Sequence, residues 1–264
     1  SFLNLSPIGQ PGKGIHEPLG DEVLDIEKMR EMMERYPGKI AGIKIRISRP
    51  IVGKLGLQPL FRAVEAGEAL GLPVCVHTTD PPEEASSVAA LLRPGDIYSH
   101  TYHGKGNTIL NVDQSVQQGI LEAQKRGIFM EVGNGKVNFN FQIAEKAVAA
   151  GLWPDIISSD STPATFHQSP TMWDLPFVMS KFLFLGMPFH KILRAVTVTP
   201  AQCLGLADRI GKIALGYEAD LILCRMENGR VSFEDADGNC RIGDRQLKVQ
   251  TTIQSGEIVF LSND

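Results

Sequence analysis

Four side chains that can bind metal ions or move protons stand at or near the ends of short apolar runs: Lys44, His77, His100 and Asp160. The runs before the two histidines, residues 73–76 and 96–99, follow one another along the chain. A single histidine at a strand end is more often structural than functional, but two on successive strands favour a function. Neighbouring ends of parallel strands lie side by side, so such histidines can share a metal ion.

Lys44 lies inside the apolar run of residues 41–47, where an unpaired charge is costly. One interpretation is an ion pair, or a side chain that reaches solvent. The other is a functional amine, which either has a lowered pKa or reacts with CO2 to form a carbamate. A carbamate is an anion whose two oxygens can bridge two metal ions, and only a neutral, partly buried lysine can form one.

Asp160 follows the apolar run of residues 156–159. An aspartate in this place is often only the N-cap of the next helix. Beside a metal ion and its water, an aspartate can be both a ligand and a general base. The residue alone leaves both interpretations open, and its combination with the lysine and the two histidines favours a metal centre.

The elements that must position these residues alternate between strands and helices. β-Branched runs predict strands over residues 2–5, 40–47, 74–77, 97–100, 129–132 and 156–159. Apolar residues spaced three and four apart predict helices over residues 23–36, 60–70, 85–92, 112–126 and 141–150. Such alternation predicts a parallel sheet with helical crossovers.

Two α/β architectures compete for this pattern. A doubly wound sheet favours a glycine-rich phosphate turn after its first strand, whereas residues 6–10 read Ser-Pro-Ile-Gly-Gln. A (β/α)8 barrel places functional residues at the C-terminal ends of several strands, which is the pattern here. We therefore expect a TIM barrel over residues 1–208. Glycine turns and short strands follow, with a hairpin over 249–253 and 257–260, so we expect a small flanking β-sandwich over residues 209–264.

Composition argues against several other classes of protein. The net charge is −4 and the pI about 5.9, so nothing points to nucleic acid or an anionic membrane. No apolar run approaches the ~20 residues of a membrane span, and the first residues lack the basic segment of a signal peptide. The four cysteines form no Cys-x-x-Cys pair, which favours free thiols in a reducing compartment. We expect a cytoplasmic protein that acts on a small molecule, with a homo-oligomer as a possible assembly.

In chain order, this lysine, two histidines and aspartate make the sequence resemble the amidohydrolase superfamily in its binuclear, carbamylated-lysine subtype. Within it, the sequence is most similar to a dihydroorotase-like deacetylase group. The motifs that carry the resemblance are Gly-Ile-Lys-Ile-Arg at 42–46, Val-His-Thr at 76–78, Tyr-Ser-His-Thr-Tyr-His at 98–103, Glu-Val-Gly-Asn-Gly at 131–135, Ile-Ser-Ser-Asp at 157–160, Thr-Pro-Ala-Gln at 199–202 and Gly-Tyr-Glu-Ala-Asp-Leu at 216–221. The resemblance extends over essentially the whole chain.

The resemblance implies two divalent metal ions, most often zinc. The CO2-derived carbamate of Lys44 would bridge them, His77 and His100 would bind the second ion, and Asp160 would hold the first and shuttle a proton. The superfamily's His-x-His motif of the first barrel strand does not occur in this chain. We therefore expect the first two barrel strands to be absent and the strand of residues 2–5 to have an unpaired edge.

Five further residues are expected to contact the substrate: Arg46, His103, Gly133, Asn134 and Gly135. The backbone amides of the 133–135 turn would face a carboxylate or an oxyanion. Arg46 shares a strand face with Lys44 and would bind a carboxylate or, as the favoured alternative, pair with Glu131. For His103 the alternative is a histidine on a surface loop.

The expected activity is hydrolysis of an amide or ester bond, with removal of an acyl group from an N-acyl or O-acyl small molecule favoured. A dihydroorotase-type cyclic amidase is the alternative within this chemistry. A deaminase is disfavoured, because mononuclear deaminases of the superfamily use a His-x-x-Glu motif and His77 is followed by Thr-Thr-Asp. The alternative from another class is a non-catalytic, barrel-derived assembly protein. Absence of the His-x-His favours it, whereas the four retained candidate ligands argue against it.

Overall fold

In the computed structural model, which describes residues 1–11, 15–163, 165–166 and 170–262, the first layer is a parallel sheet. Five strands pair in chain order, each parallel to the next. They are β1 (Phe2–Asn4), β2 (Gly42–Arg46), β3 (Val74–His77), β4 (Ile97–Ser99) and β5 (Phe129–Glu131). This order confirms the predicted parallel sheet of a barrel.

The predicted last strand, residues 156–159, lies beside β5 but is irregular. One parallel bridge joins Ile156 to Glu131, and the amides of Val132 and Asn134 donate to the carbonyls of Ile156 and Ser158. The segment therefore continues the sheet by hydrogen bonds without forming a regular strand.

Residues on one side of the sheet are apolar and fully buried: Ile43, Ile45, Val74, Val76, Tyr98 and Met130. Burying a large apolar side chain contributes roughly 1.5–3 kcal/mol, so these residues attach the sheet firmly to the helices that cover it. Successive residues of a strand point to opposite sides. The residues between the apolar ones, several of them polar, therefore face the other side.

Nine α-helices lie between residues 26 and 203 in the described part of the chain, and helices among them cover the sheet. They are α1 (Ile26–Arg35), α2 (Arg49–Val52), α3 (Gln58–Leu70), α4 (Ala85–Ala90), α5 (Gln118–Lys125), α6 (Phe141–Ala149), α7 (Leu175–Phe184), α8 (Phe189–Val196) and α9 (Val198–Cys203). Short 3-10 turns lie at Asp21–Val23 and Gly53–Leu55. The predicted helices over 60–70, 85–92 and 141–150 correspond to α3, α4 and α6, whereas α2 and α7–α9 were not predicted.

Two predicted helices begin later than expected. The helix predicted over 112–126 starts only at Gln118, because the Asp113 side chain accepts hydrogen bonds from the amide and hydroxyl of Ser115 and closes a turn. The helix predicted over 23–36 starts at Ile26, where Asp25 caps it by accepting from the amide of Lys28 at 3.0 Å.

A three-stranded antiparallel sheet follows the helices, with the order β6 (Leu221–Glu234), β7 (Cys240–Gln254) and β8 (Glu257–Leu261). The predicted hairpin over 249–260 is confirmed as the β7–β8 pair. The short strands expected between residues 209 and 220 are not observed, since this segment consists of turns, bends and irregular backbone. The predicted domain boundary between residues 208 and 209 stays a prediction. The last two residues of the predicted second domain, 263 and 264, lie outside the described part of the chain.

The turn between β6 and β7 is tied to the barrel by Asp235, which is 1% exposed. Its carboxylate accepts hydrogen bonds from the amide of Phe141, at the start of α6, and from the amides of Asp237 and Asn239, each at 2.9 Å. The neighbouring Asp237 accepts from the side chain of Asn140 at 2.7 Å. The hairpin tip thereby holds the loop that leads into α6.

Both sheets have an open edge within the described residues. β1 pairs with β2 alone, which confirms the unpaired edge expected beside residues 2–5. β8 pairs with β7 alone and exposes four consecutive apolar residues, Ile258, Val259, Phe260 and Leu261.

None of the described helices combines the length and the apolar character that crossing a membrane requires.

Replacing Asp235 by alanine is expected to lower the free energy of unfolding by about 3 kcal/mol, because buried amides would lose their acceptor. Asp237→Ala is the matched control and should cost about 1 kcal/mol, since it removes one hydrogen bond at the same turn. Urea unfolding of both variants measures the difference, and equal losses would contradict the role given to Asp235.

Candidate active site

A cavity of about 470 Å³ opens at the C-terminal ends of the parallel strands. All four side chains predicted as metal ligands line it: Lys44, His77, His100 and Asp160. Other lining residues are Phe2, Gln10, Arg46, Cys75, Ile97, Ser99, Glu131, Gly133 and Ser158. The structure thus brings together the residues that the strand positions single out.

Strand register places these groups at two heights. Lys44 lies beside Cys75, and two residues further along the strands Arg46 lies beside His77. His77 in turn lies beside Ser99, and Ser99 beside Glu131. Because paired residues of parallel strands point to the same side, every one of these side chains is directed into the cavity.

Lys44 lies among groups that favour its charged form. Its Nζ donates to Cys75 Sγ at 3.3 Å. Burial lowers the pKa of Lys44, but Cys75, Glu131 and Asp160 raise it more, so that the pKa stands above its ordinary value. Burial raises the pKa of the Cys75 thiol to about 11, so the thiol is neutral at neutral pH. The amine is therefore an ammonium here, whereas carbamate formation requires a neutral lysine.

The two cavity histidines are in contact and uncharged. Their ring centroids are 4.3 Å apart with the rings at 70° to each other. Burial, followed by the other positive groups, lowers the pKa of His77 well below its usual value and that of His100 to about 3. His100 Nδ1 lies 2.8 Å from the carbonyl oxygen of Gly133 and donates to it, so the lone pair lies on Nε2.

Asp160 stands at the cavity with a left-handed backbone, φ 51°. Its Oδ2 accepts from Asn138 Nδ2 at 3.1 Å, and Asn138 Oδ1 in turn accepts from Thr79 at 2.8 Å. Burial raises the pKa of Asp160, against the opposing effects of Lys44 and Asn138. A carboxylate with a raised pKa and one held oxygen suits proton transfer through the other oxygen.

Two glycines of the 133–135 turn are required by close approach as well as by φ. A Cβ on Gly133 (φ 50°) would lie 2.4 Å from His100 Nδ1, and one on Gly135 (φ 47°) would lie 2.6 Å from Asp160 Oδ2. Asn134, between them, is fully buried and does not line the cavity. The turn is thus fitted against a candidate ligand on either side.

The alternative favoured for Arg46, an ion pair with Glu131, is wrong. Its Nε and its second terminal nitrogen donate to Glu17 Oε2 at 2.8 and 2.5 Å, and the Glu17 side chain is 1% exposed. Glu131 instead accepts from the hydroxyl of Ser158 at 2.8 Å. The physical reason is the position of Arg46. It is the last residue of β2, and its side chain extends beyond the strand to the segment that holds Glu17.

His103 is fully buried and does not line the cavity, so it is no surface-loop histidine. Its Nδ1 accepts from the amide of Lys105 at 3.2 Å, and its Nε2 has no partner within the described residues. Burial lowers the pKa of His103 to about 4.

The sequence interpretation missed several residues of this site: Glu17, Cys75, Asn138 and Ser158. Cys75 and Ser158 lie two residues before His77 and Asp160, so the alternation of strand residues could have identified them. Glu17 and Asn138 lie in loops, where no periodic pattern marks them.

Standard ligands alone do not form a metal site in the described part of the chain: no group of three or more His, Cys, Asp or Glu side chains is placed to hold an ion. The two histidines fit such a site only with a further ligand. Lys44 can supply one if it carries a carboxylate.

The fold is a barrel-type parallel sheet, and its candidate site is a cavity lined by polar side chains at the C-terminal ends of the strands. The pattern of the Amidohydrolase family matches residues 53–259, more than half of the chain. The chain belongs to the amidohydrolase family.

Individual relatives agree with this assignment. A protein described as a deacetylase, from Brucella anthropi, is 28% identical over 263 residues, which cover 99% of this chain and 65% of the relative. A solved structure described as an adenine deaminase superposes with a TM-score of 0.91 at 26% identity. The match covers 99% of this chain and 70% of the chain in that structure. One described as a dihydroorotase has a TM-score of 0.87 at 28% identity, over 99% of this chain and 68% of its own. The chain thus spans slightly less than two thirds of the length of the curated relative.

The pKa of His103 predicts a specific loss of stability in acid. Its folded pKa of about 4 lies below the unfolded value, so the unfolded chain binds the proton first and stability falls as the pH drops below ~6.5. His103→Asn retains an acceptor for the Lys105 amide but cannot titrate. Between pH 7.5 and 5, the variant should lose about 2 kcal/mol less unfolding free energy than the wild type. Urea unfolding at both pH values measures this, and identical losses would refute the assignment of a neutral buried ring.

Proposed function

We propose that the protein is a metal-dependent hydrolase of amide or ester bonds that removes acyl groups from small molecules. One observation carries the proposal: a lysine, two neutral histidines and an aspartate line one cavity at the strand ends. A small-molecule substrate suits a cavity of about 470 Å³. The four free cysteines support a reducing, cytoplasmic location.

The proposed cofactors are two zinc ions and a carbamate on Lys44. The Lys44 ammonium would first lose a proton to solvent, and its neutral amine would then attack CO2. Loss of a second proton from the nitrogen would leave the carbamate, which replaces a positive charge by a negative one with two oxygen ligands. His77 and His100 would hold one ion together with this carbamate, and Asp160 would be a ligand of the other ion. The remaining ligands of that second position, a His-x-His, are not in this sequence.

Bound zinc would lower the pKa of a water molecule and polarise the scissile carbonyl. The residues of this chain orient the groups and move the proton. The Gly133 carbonyl fixes the His100 tautomer, which directs the Nε2 lone pair away from the turn. Asp160 accepts a proton from the attacking water and returns it to the leaving nitrogen or oxygen, while Asn138 holds its other oxygen. The products are a carboxylate and an amine or alcohol.

Arg46 and the 133–135 turn are proposed to bind the substrate, since Arg46 and Gly133 line the cavity. Arg46 keeps one terminal nitrogen that does not bind Glu17, and this nitrogen would meet a substrate carboxylate. His103 and Asn134 stay predictions as substrate contacts, and their full burial does not support them.

Deacylation is favoured over cyclic amide hydrolysis because the relative from Brucella anthropi is described as a deacetylase. Deamination is the second candidate, since the neighbour described as an adenine deaminase superposes with a TM-score of 0.91. Removal of an N-acyl group and deamination both add water at a carbon bound to nitrogen, so one screen can compare the two reactions. N-acyl amino acids, dihydroorotate and adenine would be offered to the same full-length protein.

Lys44→Ala is expected to lower zinc content and to reduce kcat by at least about 10³-fold, because it removes the amine that would carry the proposed carbamate ligand. Short carboxylic acids added to the variant should restore part of the activity by supplying that group. Zinc content by mass spectrometry and initial rates provide the measurement.

Lys125→Ala, an exposed lysine at the end of α5, is the matched control and should leave both quantities unchanged. Normal zinc content and turnover in Lys44→Ala would overturn the binuclear proposal. A wild-type protein without zinc and without activity in the screen would favour the non-catalytic alternative.

Asp160→Asn should behave differently from Lys44→Ala, because the amide retains one oxygen but cannot accept the proton. The variant should retain most of its zinc and lose about 10²–10⁴-fold in kcat. Zinc analysis beside steady-state rates tests this, and a rate close to that of the wild type would remove Asp160 from the proton path.

A further inference from the structure

Lys181 is a buried lysine that the proposed chemistry does not use. It lies in the middle of α7 and is 0% exposed. Its Nζ lies 4.7 Å from the ring centroid of Phe139 and 5.8 Å from those of Phe141 and Phe177. An ammonium is costly to bury, so an apolar residue would fill this place at lower cost unless the charge has a task.

The Lys181 ammonium joins three separate segments of the chain. It donates to Asn134 Oδ1 at 3.1 Å, to the carbonyl of Glu234 at 2.8 Å and to the carbonyl of Thr171. These acceptors lie in the turn after β5, at the end of β6 and in the loop before α7. An ammonium has three donors and no acceptor, so the arrangement uses its full capacity.

Burial lowers the pKa of Lys181 to about 7, against the opposing effects of Asp235 and Glu234. The neutral amine has two N–H groups and a lone pair, which would face one of the three oxygens. The arrangement of acceptors therefore fits the charged form of the side chain.

Asn134 connects Lys181 to the site. Its Nδ2 donates to the carbonyls of Gly135 and Thr171 at 2.8 and 2.9 Å, while its Oδ1 accepts from Lys181. The peptide units on either side contact candidate ligands: the Gly133 carbonyl accepts from His100, and Gly135 packs against Asp160. A shift of Asn134 would displace both contacts.

We propose that Lys181 is a positioning residue, which holds the 133–135 turn through Asn134 and so fixes the tautomer of His100 and the place of Asp160. The expected effect on zinc binding rests on the proposed function, whereas the positioning of the 133–135 turn by Lys181 does not. Partners beyond the first ligands of a metal typically change affinity by about 10–100-fold when they are removed.

The experiment uses Lys181→Met in the full-length protein, which retains the side-chain length and removes all three donors. Zinc affinity is measured by titration calorimetry after chelator treatment. We expect a loss of about tenfold. Ser180→Ala is the matched control: Ser180 Oγ accepts from the Leu247 amide at 2.9 Å, so this variant loosens α7 against β7 without reaching the turn. Its zinc affinity should equal that of the wild type.

The Asn134→Ala variant tests the path. If Lys181 acts through Asn134, the double variant should lose no more zinc affinity than the single variant that has the larger loss. Multiplied losses would overturn the proposal, as would a folded Lys181→Met with unchanged affinity. Should Lys181→Met fail to fold, Asn134→Ala alone decides, since it leaves Lys181 two of its three acceptors.

A readout without metal separates the two proposals. Nitrogen-15 NMR of labelled histidine in the zinc-free protein reports the tautomer of His100, which should carry its proton on Nδ1 in the wild type and lose this preference in both single variants. A wild type that binds no zinc would refute the proposed function, whereas the tautomer would still decide the positioning role. An unchanged tautomer in both variants would refute that role whatever the zinc result.

Discussion

Strands β2–β5 pair in register, so that residues at equal height on neighbouring strands point to the same side of the sheet. A slip by one residue would turn Lys44 and His77 toward the helices and Ile43 and Ile45 toward the cavity. Such a slip would bury a charge without partners and lose apolar contacts with the helices at the same time. The apolar face of the sheet therefore determines where the polar groups stand, and the candidate site depends on that pairing.

The strand ends alone do not fix the site, because the residues that follow them have unusual backbones. His100 and Asp160 have φ values of 68° and 51°, which cost a residue with a side chain of order 1–2 kcal/mol. Hydrogen bonds from surrounding loops offset this cost: the Thr101 amide donates to the Glu131 carbonyl, and Asn138 donates to Asp160. Through Asp235 and Lys181, the antiparallel sheet supports the same loops from outside the barrel.

Local patterns predicted the parts of the molecule that follow from alternation. Lys44, His77 and His100 could be recognised because each lies within or directly after a short apolar run. Helix α7 could not be recognised in this way. Its own apolar residues, such as Phe177, Val178 and Phe182, are spread around the helix and form no stripe of period 3.6. The partner of Arg46 could not be predicted either, because Glu17 lies 29 residues away in a loop and only the folded chain brings them together.

The outer edge of β8 has a consequence for work with this chain in the laboratory. Its four exposed apolar residues stand beside backbone amides and carbonyls that no neighbouring strand within the described residues occupies. An edge of this kind is a template for pairing between molecules, and it lacks the lysines and prolines that usually prevent such pairing. Concentrated samples of these 264 residues should therefore associate through β8 and precipitate, and a lysine in place of Val259 would be the first change to make for solubility.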